Sequence, residues 1–348
     1  MNKLIVGGTF DIENGKKSHI VETLHKSLGE SWGCINGGNI QYIRDFDPTG
    51  INVLIWMPNV SNEEIKVIED LKKKNPRMIL IQSKRVIEKE YLPSDIIGRL
   101  LKSHSLLGIM ITKESGKYRY RLLDPLGNQW SDTDDISKIG ETINNRLSYL
   151  LNLNRINSVK IDTNVAHKAP PEFIDIIKNY GVEFTKYVNA INPNRLLGNA
   201  STRCAKGFPA IRMDDHILVT KRNVDKQTLS EEDFVLVERK MDSVVNYKGD
   251  NKPSVDTPIQ LKIFEHYPNV KYMIHGHVYV KGGIFTDNKI PCGYIEEFEE
   301  IKELVSSRET SNFKINLRGH GCLILSDNLP YLEEQINNLY SRPFPEEW

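Results

Sequence analysis

The chain has 348 residues, 39% hydrophobic and 26% charged, enough apolar material for two domains rather than one. Lys plus Arg and Asp plus Glu stand at 46 each, which removes the broad positive field that nucleic-acid binders use, so a small local substrate is expected. No window approaches about 18 uncharged apolar residues, and the opening MNKLIVGGTFDIEN has no signal-peptide core, which predicts a cytoplasmic protein with no membrane partner.

Residues 2–7 (NKLIVG), 52–56 (NVLIW) and 78–82 (MILIQ) are short Ile/Leu/Val runs, separated by helical patterns over 16–28, 62–74 and 93–103. This alternation predicts βαβ units and a mostly parallel, Rossmann-like open sheet. The stretch GGTFDIENGKKS (7–18) fails the P-loop spacing, because Phe10 stands where the first glycine belongs and Lys17 follows Lys16. It still reads as a glycine turn before a helix N-terminus, the place where an open α/β sheet takes a nucleotide or sugar phosphate; an assembly or gating role is the alternative. LLGIMIT (106–112) and YRYRLL (118–123) flank the turn signal ESGK and predict a hairpin, and 134–151 predicts a closing helix.

Periodicity weakens from Asn152 to Pro171, so the domain boundary is expected there, giving domains of 1–155 and 156–348. Beyond it, 171–188 reads as a helix, followed by a Gly-Asn turn. Strand patterns follow at 211–213, 217–220, 234–238, 272–280, 314–317 and 322–325, with helices at 258–267, 295–306 and 330–340. The second half is therefore expected to be an α/β or α+β domain with helices packed on a sheet. Cys34, Cys204, Cys292 and Cys322 show no CxxC spacing, and read as reduced thiols rather than a disulfide framework or a cysteine zinc site.

The segment YMIHGHVYV (272–280) puts His275 and His277 on alternate positions of a strand pattern. Alternate side chains share a face about 6.5–7 Å apart, so both rings can converge on one ion. The pair alone is a weak motif, and a catalytic divalent ion generally takes three protein ligands with one position left open. His320, in the Gly-His-Gly of INLRGHGCLIL, is the best third ligand; its alternative is a core or turn histidine. Asp256 precedes Thr257 and Pro258, which read as the N-cap and first residue of a helix whose dipole keeps the carboxylate ionised. A purely structural helix-start residue is the alternative for Asp256.

The order GNASTR (198–203), ILVTKRNVD (217–225), KPSVDTP (252–258), IHGH (274–277) and RGHG (318–321) resembles the class II aldolase/adducin family over residues 172–340. The resemblance implies a divalent metal, zinc first, held by His275, His277 and His320, with Asp256 as the catalytic acid beside it. In the aldolase branch that acid is Glu, and PSVDTP looks more like the epimerase branch. It also implies phosphate binding by Gly198, Asn199, Thr220 and Ser254. The loop departs from Thr-Pro-Ser-Gly by reading Thr220-Lys221-Arg222-Asn223; Lys221 and Arg222 suit an anion, and solvated loop charges are the alternative. The implied activity is an aldol-type lyase on a small phosphorylated ketose, working through a metal-stabilised enediolate. An epimerase or dehydratase using the same metal, or a silent adducin-like binding module, is the alternative. The family also implies a homotetramer and a proton donor, for which Tyr279, Tyr294, Glu296 and Tyr340 are the choices.

Overall fold

A computed structural model describes residues 3–7, 18–30, 32–36, 40–58, 60–61, 63–86, 90, 92–161, 168–188, 196–204, 216–241 and 244–347. The chain divides into two compact units, Met1–Asn152 with Phe344–Trp348, and Leu153–Pro343. No helix among the described residues is long and apolar enough to cross a membrane.

The first unit runs β1 (Lys3–Gly7), α1 (His19–Ser27), β2 (Gly33–Asn36), α2 (Ile40–Arg44), β3 (Val53–Trp56), α3 (Ile65–Lys74), β4 (Ile79–Val86), α4 (Ser94–Ser103), β5 (Leu107–Glu114), β6 (Lys117–Leu123), β7 (Asn128–Thr133) and α5 (Ile136–Asn152). Strands β2, β1, β3, β4 and β5 lie side by side in parallel in that order. Every residue of β3 is buried, as a parallel strand covered on both faces requires. On one side Leu54, Trp56 and Leu80 pack with Ile43, Ile65, Ile68 and Leu71 of α2 and α3. The order 2-1-3-4-5 is doubly wound, but it differs from the 3-2-1-4-5-6 order of the dinucleotide fold, so the Rossmann-like expectation is corrected to the other open α/β arrangement. The predicted hairpin is β5–β6, turned by Ser115 (φ 49°) and Gly116 (φ 84°). Positive φ at both central residues gives the turn a twist that matches the strands. The glycine turn expected at 8–17 lies outside the described residues.

The second unit runs β8 (Asn157–Lys160), α6 (Pro171–Val188), β9 (Asn199–Arg203), β10 (His216–Thr220), β11 (Phe234–Met241), β12 (Val244–Lys248), α7 (Thr257–His266), β13 (Tyr272–Gly276), β14 (Tyr279–Val280), β15 (Ile284–Phe285), α8 (Glu296–Leu304), β16 (Phe313–Leu317), β17 (Gly321–Ser326), α9 (Leu329–Ile336) and β18 (Leu339–Tyr340). Nine strands form one sheet in the order β15-β16-β17-β13-β9-β10-β11-β12-β8, and β14 pairs with β18. Strand alternation divides the core. Leu218, Ile274 and Ile324 pack with Phe173 and Ile177 of α6 and Leu332 of α9, while Val219, Met273 and Leu325 pack with Ile263 of α7 and Ile301 of α8. The result is three layers, with two helices on each face of the sheet.

The units divide after Asn152, and residues 157–160 of the segment 152–171 pair in parallel with β12 as the sheet's edge. The last residues do not close the second unit: β19 (Glu346–Glu347) pairs in parallel with β7 of the first. An added Cβ on Gly127 would meet the Phe344 ring at 2.0 Å, so the returning chain is seated directly on the turn before β7.

Candidate metal centre

In β13, Met273 faces the α7–α8 layer and His275, two residues on, faces the same way, opposite Leu323 of β17. The strand ends at Gly276, and His277 stands in the bend that follows. That bend brings the two ring centroids to 5.1 Å, nearer than a continuous strand would place them.

His320 arrives from the connection between β16 and β17, which are paired as far as Leu317 and Gly321. Its backbone N–H donates to Leu317 O at 2.9 Å, Gly319 takes φ 69°, and the Gly319 N–H donates to the Tyr279 hydroxyl at 2.9 Å. Gly321 is the position that decides this placement. A Cβ there would lie 1.9 Å from Gly276 O and 2.9 Å from His277 Cα, so only glycine lets the hairpin end lie against the β13 terminus. The His320 ring is then 4.7 Å from His275 and 5.1 Å from His277, centroid to centroid. One ring nitrogen from each of the three lies within 4.8 Å of the others.

The outer nitrogens are already committed. His275 Nδ1 is 3.0 Å from Cys322 O, and His320 Nδ1 is 2.6 Å from the buried Glu297 carboxylate of α8. Proton donation from each Nδ1 leaves Nε2 with a lone pair turned inward, the arrangement that orients metal-binding imidazoles. Nε2 of His275, on a residue 1% exposed, has no hydrogen-bond partner among the described residues. Burial lowers the His275 pKa to about 4 and holds His277 well below the usual imidazole range, so both rings are neutral. Burial also opposes charge on His320, but the neighbouring Cys292 and Glu297 outweigh it and raise the ring's proton affinity.

Asp256 occupies the cap position of α7, where Thr257 had been expected, yet its side chain makes no capping bond. Instead Oδ2 lies 3.6 Å from His275 Nε2 and Oδ1 lies 4.0 Å from His320 Nε2, with Oδ1 buried and unpartnered among the described residues. A cap freed from capping is available for chemistry. Three buried imidazoles, two of them held neutral by burial, converging beside a carboxylate fit a divalent ion of the zinc type.

The residues expected to bind phosphate lie around this cluster. GNASTR is a turn leading into β9 rather than a loop throughout, with Asn199, Ala200, Ser201 and Thr202 all buried. Asn199 Nδ2 donates to Ser254 Oγ at 2.9 Å and Gln260 donates to Asn199 Oδ1; Ser254 Oγ in turn lies 3.4 Å from Asp256 Oδ2. Thr220 Oγ1 accepts from the Ala200 N–H at 3.2 Å. Gly198 (φ 78°) lies against His275 O. Lys221 is held by Asp250 at 2.9 Å, and Arg222 Nε donates to Pro253 O at 3.3 Å, so both loop cations brace the neighbouring 249–253 segment. The missing loop glycine is replaced in conformation, since Asn223 takes φ 60° and its Oδ1 accepts from the Leu196 N–H at 3.0 Å. Of the suggested proton donors, Tyr279 accepts from Gly319 beside His320, and Glu296 Oε1 accepts from the Asn154 N–H at 2.9 Å.

Two residues escaped sequence reasoning. Glu297 carried no signal beyond being one acid among several in the first turn of α8. Cys292, read as an ordinary thiol, has its Sγ 3.1 Å from His320 Nε2, and forms with Asp256 and His320 a second group of donors within 4.8 Å.

Residues 194–281 match the family described as Class II Aldolase and Adducin N-terminal domain. The C-terminal unit carries a class II aldolase/adducin-like region. The methylthioribulose-1-phosphate dehydratase of Serratia proteamaculans (strain 568) is 36% identical to the chain over 72 residues, 20% of this chain and 34% of the relative. The chain thus spans about a third of that relative's length. L-fuculose 1-phosphate aldolase aligns at TM-score 0.36 and 16% identity, over 50% of this chain and 84% of that one. A DNA/pantothenate metabolism flavoprotein from Streptococcus pneumoniae aligns at 0.32 and 14%, over 43% of this chain and 98% of that one. The matched span of the aldolase/adducin-like region contains Asn199, Thr220, Ser254, Asp256, His275 and His277; His320 lies beyond it.

Proposed function

We propose that the C-terminal unit is a metal-dependent lyase acting on a small phosphorylated ketose, with His275, His277 and His320 holding a divalent cation, zinc first. The observation that carries this reading is the unpartnered, inward-facing Nε2 of His275 beside the equally unpartnered Oδ1 of Asp256, in a cluster of three buried imidazoles. A bound cation of this kind supplies Lewis acidity, polarising a carbonyl and stabilising the charge that develops on it.

The protein's own groups supply the rest. Aldol cleavage removes a proton from the hydroxyl on the carbon β to the carbonyl while the carbon–carbon bond breaks. Asp256, held through Ser254 and Asn199, is the group placed to accept that proton and return it. Asn199, Thr220, Ser254 and the Gly198 backbone form the proposed phosphate pocket, with Lys221, next to Thr220 in the chain, as the proposed cation. The pocket's polarity is built from hydroxyls, an amide and backbone, which suits a phosphate ester.

A second reading, loss of water from the same kind of substrate, is supported by the name of the Serratia relative. It uses the same carboxylate to remove a proton next to the carbonyl. Incubation with candidate ketose phosphates, followed by proton NMR, separates the two: cleavage yields an aldehyde fragment and dehydration a single product lighter by water. For either reading His275→Ala is expected to drop bound metal from about one ion per chain to near zero and to abolish turnover, with the fold retained by circular dichroism. Full turnover by a metal-free protein would overturn the proposal, and a protein with neither bound metal nor turnover would favour a silent binding module.

A further inference from the structure

We propose that Cys292 is a fourth protein donor to the cation held by His275, His277 and His320, closing the resting centre with one sulfur. The inference rests on the metal reading above and adds a ligand that composition, spacing and family resemblance did not suggest.

Three observations carry it. Cys292 Sγ lies 3.1 Å from Nε2 of His320, the nitrogen left free for a cation because Nδ1 is committed to Glu297. Asp256, Cys292 and His320 offer donor atoms within 4.8 Å of one another, in a group that shares His320 with the three-histidine group. Independently of the cysteine, His275 Nε2 and Asp256 Oδ1 are buried without partners among the described residues, and each lies beside another member of the cluster. The cluster thus holds two buried lone-pair atoms with no proton to accept from among the described residues, as a cation site does before it is filled.

Without a cation, Cys292 Sγ and His320 Nε2 share one proton in a contact of 3.1 Å. When the cation enters, the Sγ–H bond breaks, an Sγ–metal bond forms, the proton leaves to solvent, and no electrons are transferred. Cys292 is also the one member of the two donor groups that is not buried, so it sits at the more exposed edge of the cluster. A thiolate there would hold the resting cation against loss, and substrate would either displace it or raise the coordination number by one.

The test is cobalt substitution of the whole protein. Wild-type protein loaded with Co2+ is expected to show visible d–d bands and an intense thiolate-to-cobalt charge-transfer band in the near ultraviolet. Cys292→Ser is expected to keep the d–d bands, lose the charge-transfer band and bind the metal about tenfold more weakly in chelator competition; Cys322→Ser should retain the band. X-ray absorption at the zinc edge of wild-type protein, which depends on no variant, should need one sulfur at about 2.3 Å besides nitrogen at about 2.0–2.1 Å. Cobalt bands without charge transfer, or a nitrogen and oxygen shell with no sulfur, would overturn the cysteine ligand and leave the three-histidine reading standing. Failure to take up cobalt or zinc at all would overturn both.

Discussion

At the level of single residues the centre is governed by which atom of each ring is already occupied. Glu297 and Cys322 O take the Nδ1 protons of His320 and His275, and this fixes the tautomer that leaves Nε2 to face inward. Glu297→Gln keeps a carbonyl oxygen to accept from Nδ1 but loses the charge, and metal affinity is expected to fall about tenfold. Glu297→Leu removes the acceptor, and a fall of about a hundredfold is expected. Chelator competition on both variants checks this, and a wild-type affinity in Glu297→Leu would contradict an orienting role. None of this was visible along the chain, because Glu297 meets His320 only across the α8 layer, 23 residues away in sequence.

At the level of elements, the site depends on two chain ends lying almost in contact: the end of β13 and the start of β17. Gly321→Ala would push a methyl group into the Gly276 carbonyl, a backbone atom that cannot rotate away. It is expected to cost roughly 3 kcal/mol and to separate His320 from the His275–His277 pair. A lowered denaturation midpoint together with weakened metal binding is the outcome that checks it; an unchanged midpoint would show that the hairpin can shift at little cost. The strand pattern over 272–280 suggested a histidine pair on one face of a continuous strand, but β13 ends at Gly276, and the break there, which closes the distance between the rings, is a property of how β13 ends against its neighbours.

At the level of the molecule, the two units have separate cores, one around Leu54 and Trp56 and others on the two faces of the nine-stranded sheet. A cation bound in the second unit stabilises that unit alone, by about 2.7 kcal/mol when the free ion stands at a hundred times its dissociation constant. Calorimetry before and after chelation is therefore expected to lower one thermal transition and leave the other where it was. Two transitions shifting together would mean that the units unfold as one.

Hydrophobic periodicity by itself determined the alternation of strands and helices through most of both units, because the requirement to bury one face acts on neighbouring residues and leaves a local trace. Short or polar strands such as β2, β7, β8 and β12 left almost none, and were decided by pairing with their neighbours in the sheets. The motifs His275-x-His277, Asp256 and Gly319-His320-Gly321 were legible as chemistry, since residue type and spacing carry it. Tertiary structure alone decided that β9, β13 and β17 are neighbours, that Asp256 forgoes its capping bond, and that Cys292 and Glu297 flank His320. Those are contacts across a sheet order, and a linear pattern holds no record of which strands lie beside which.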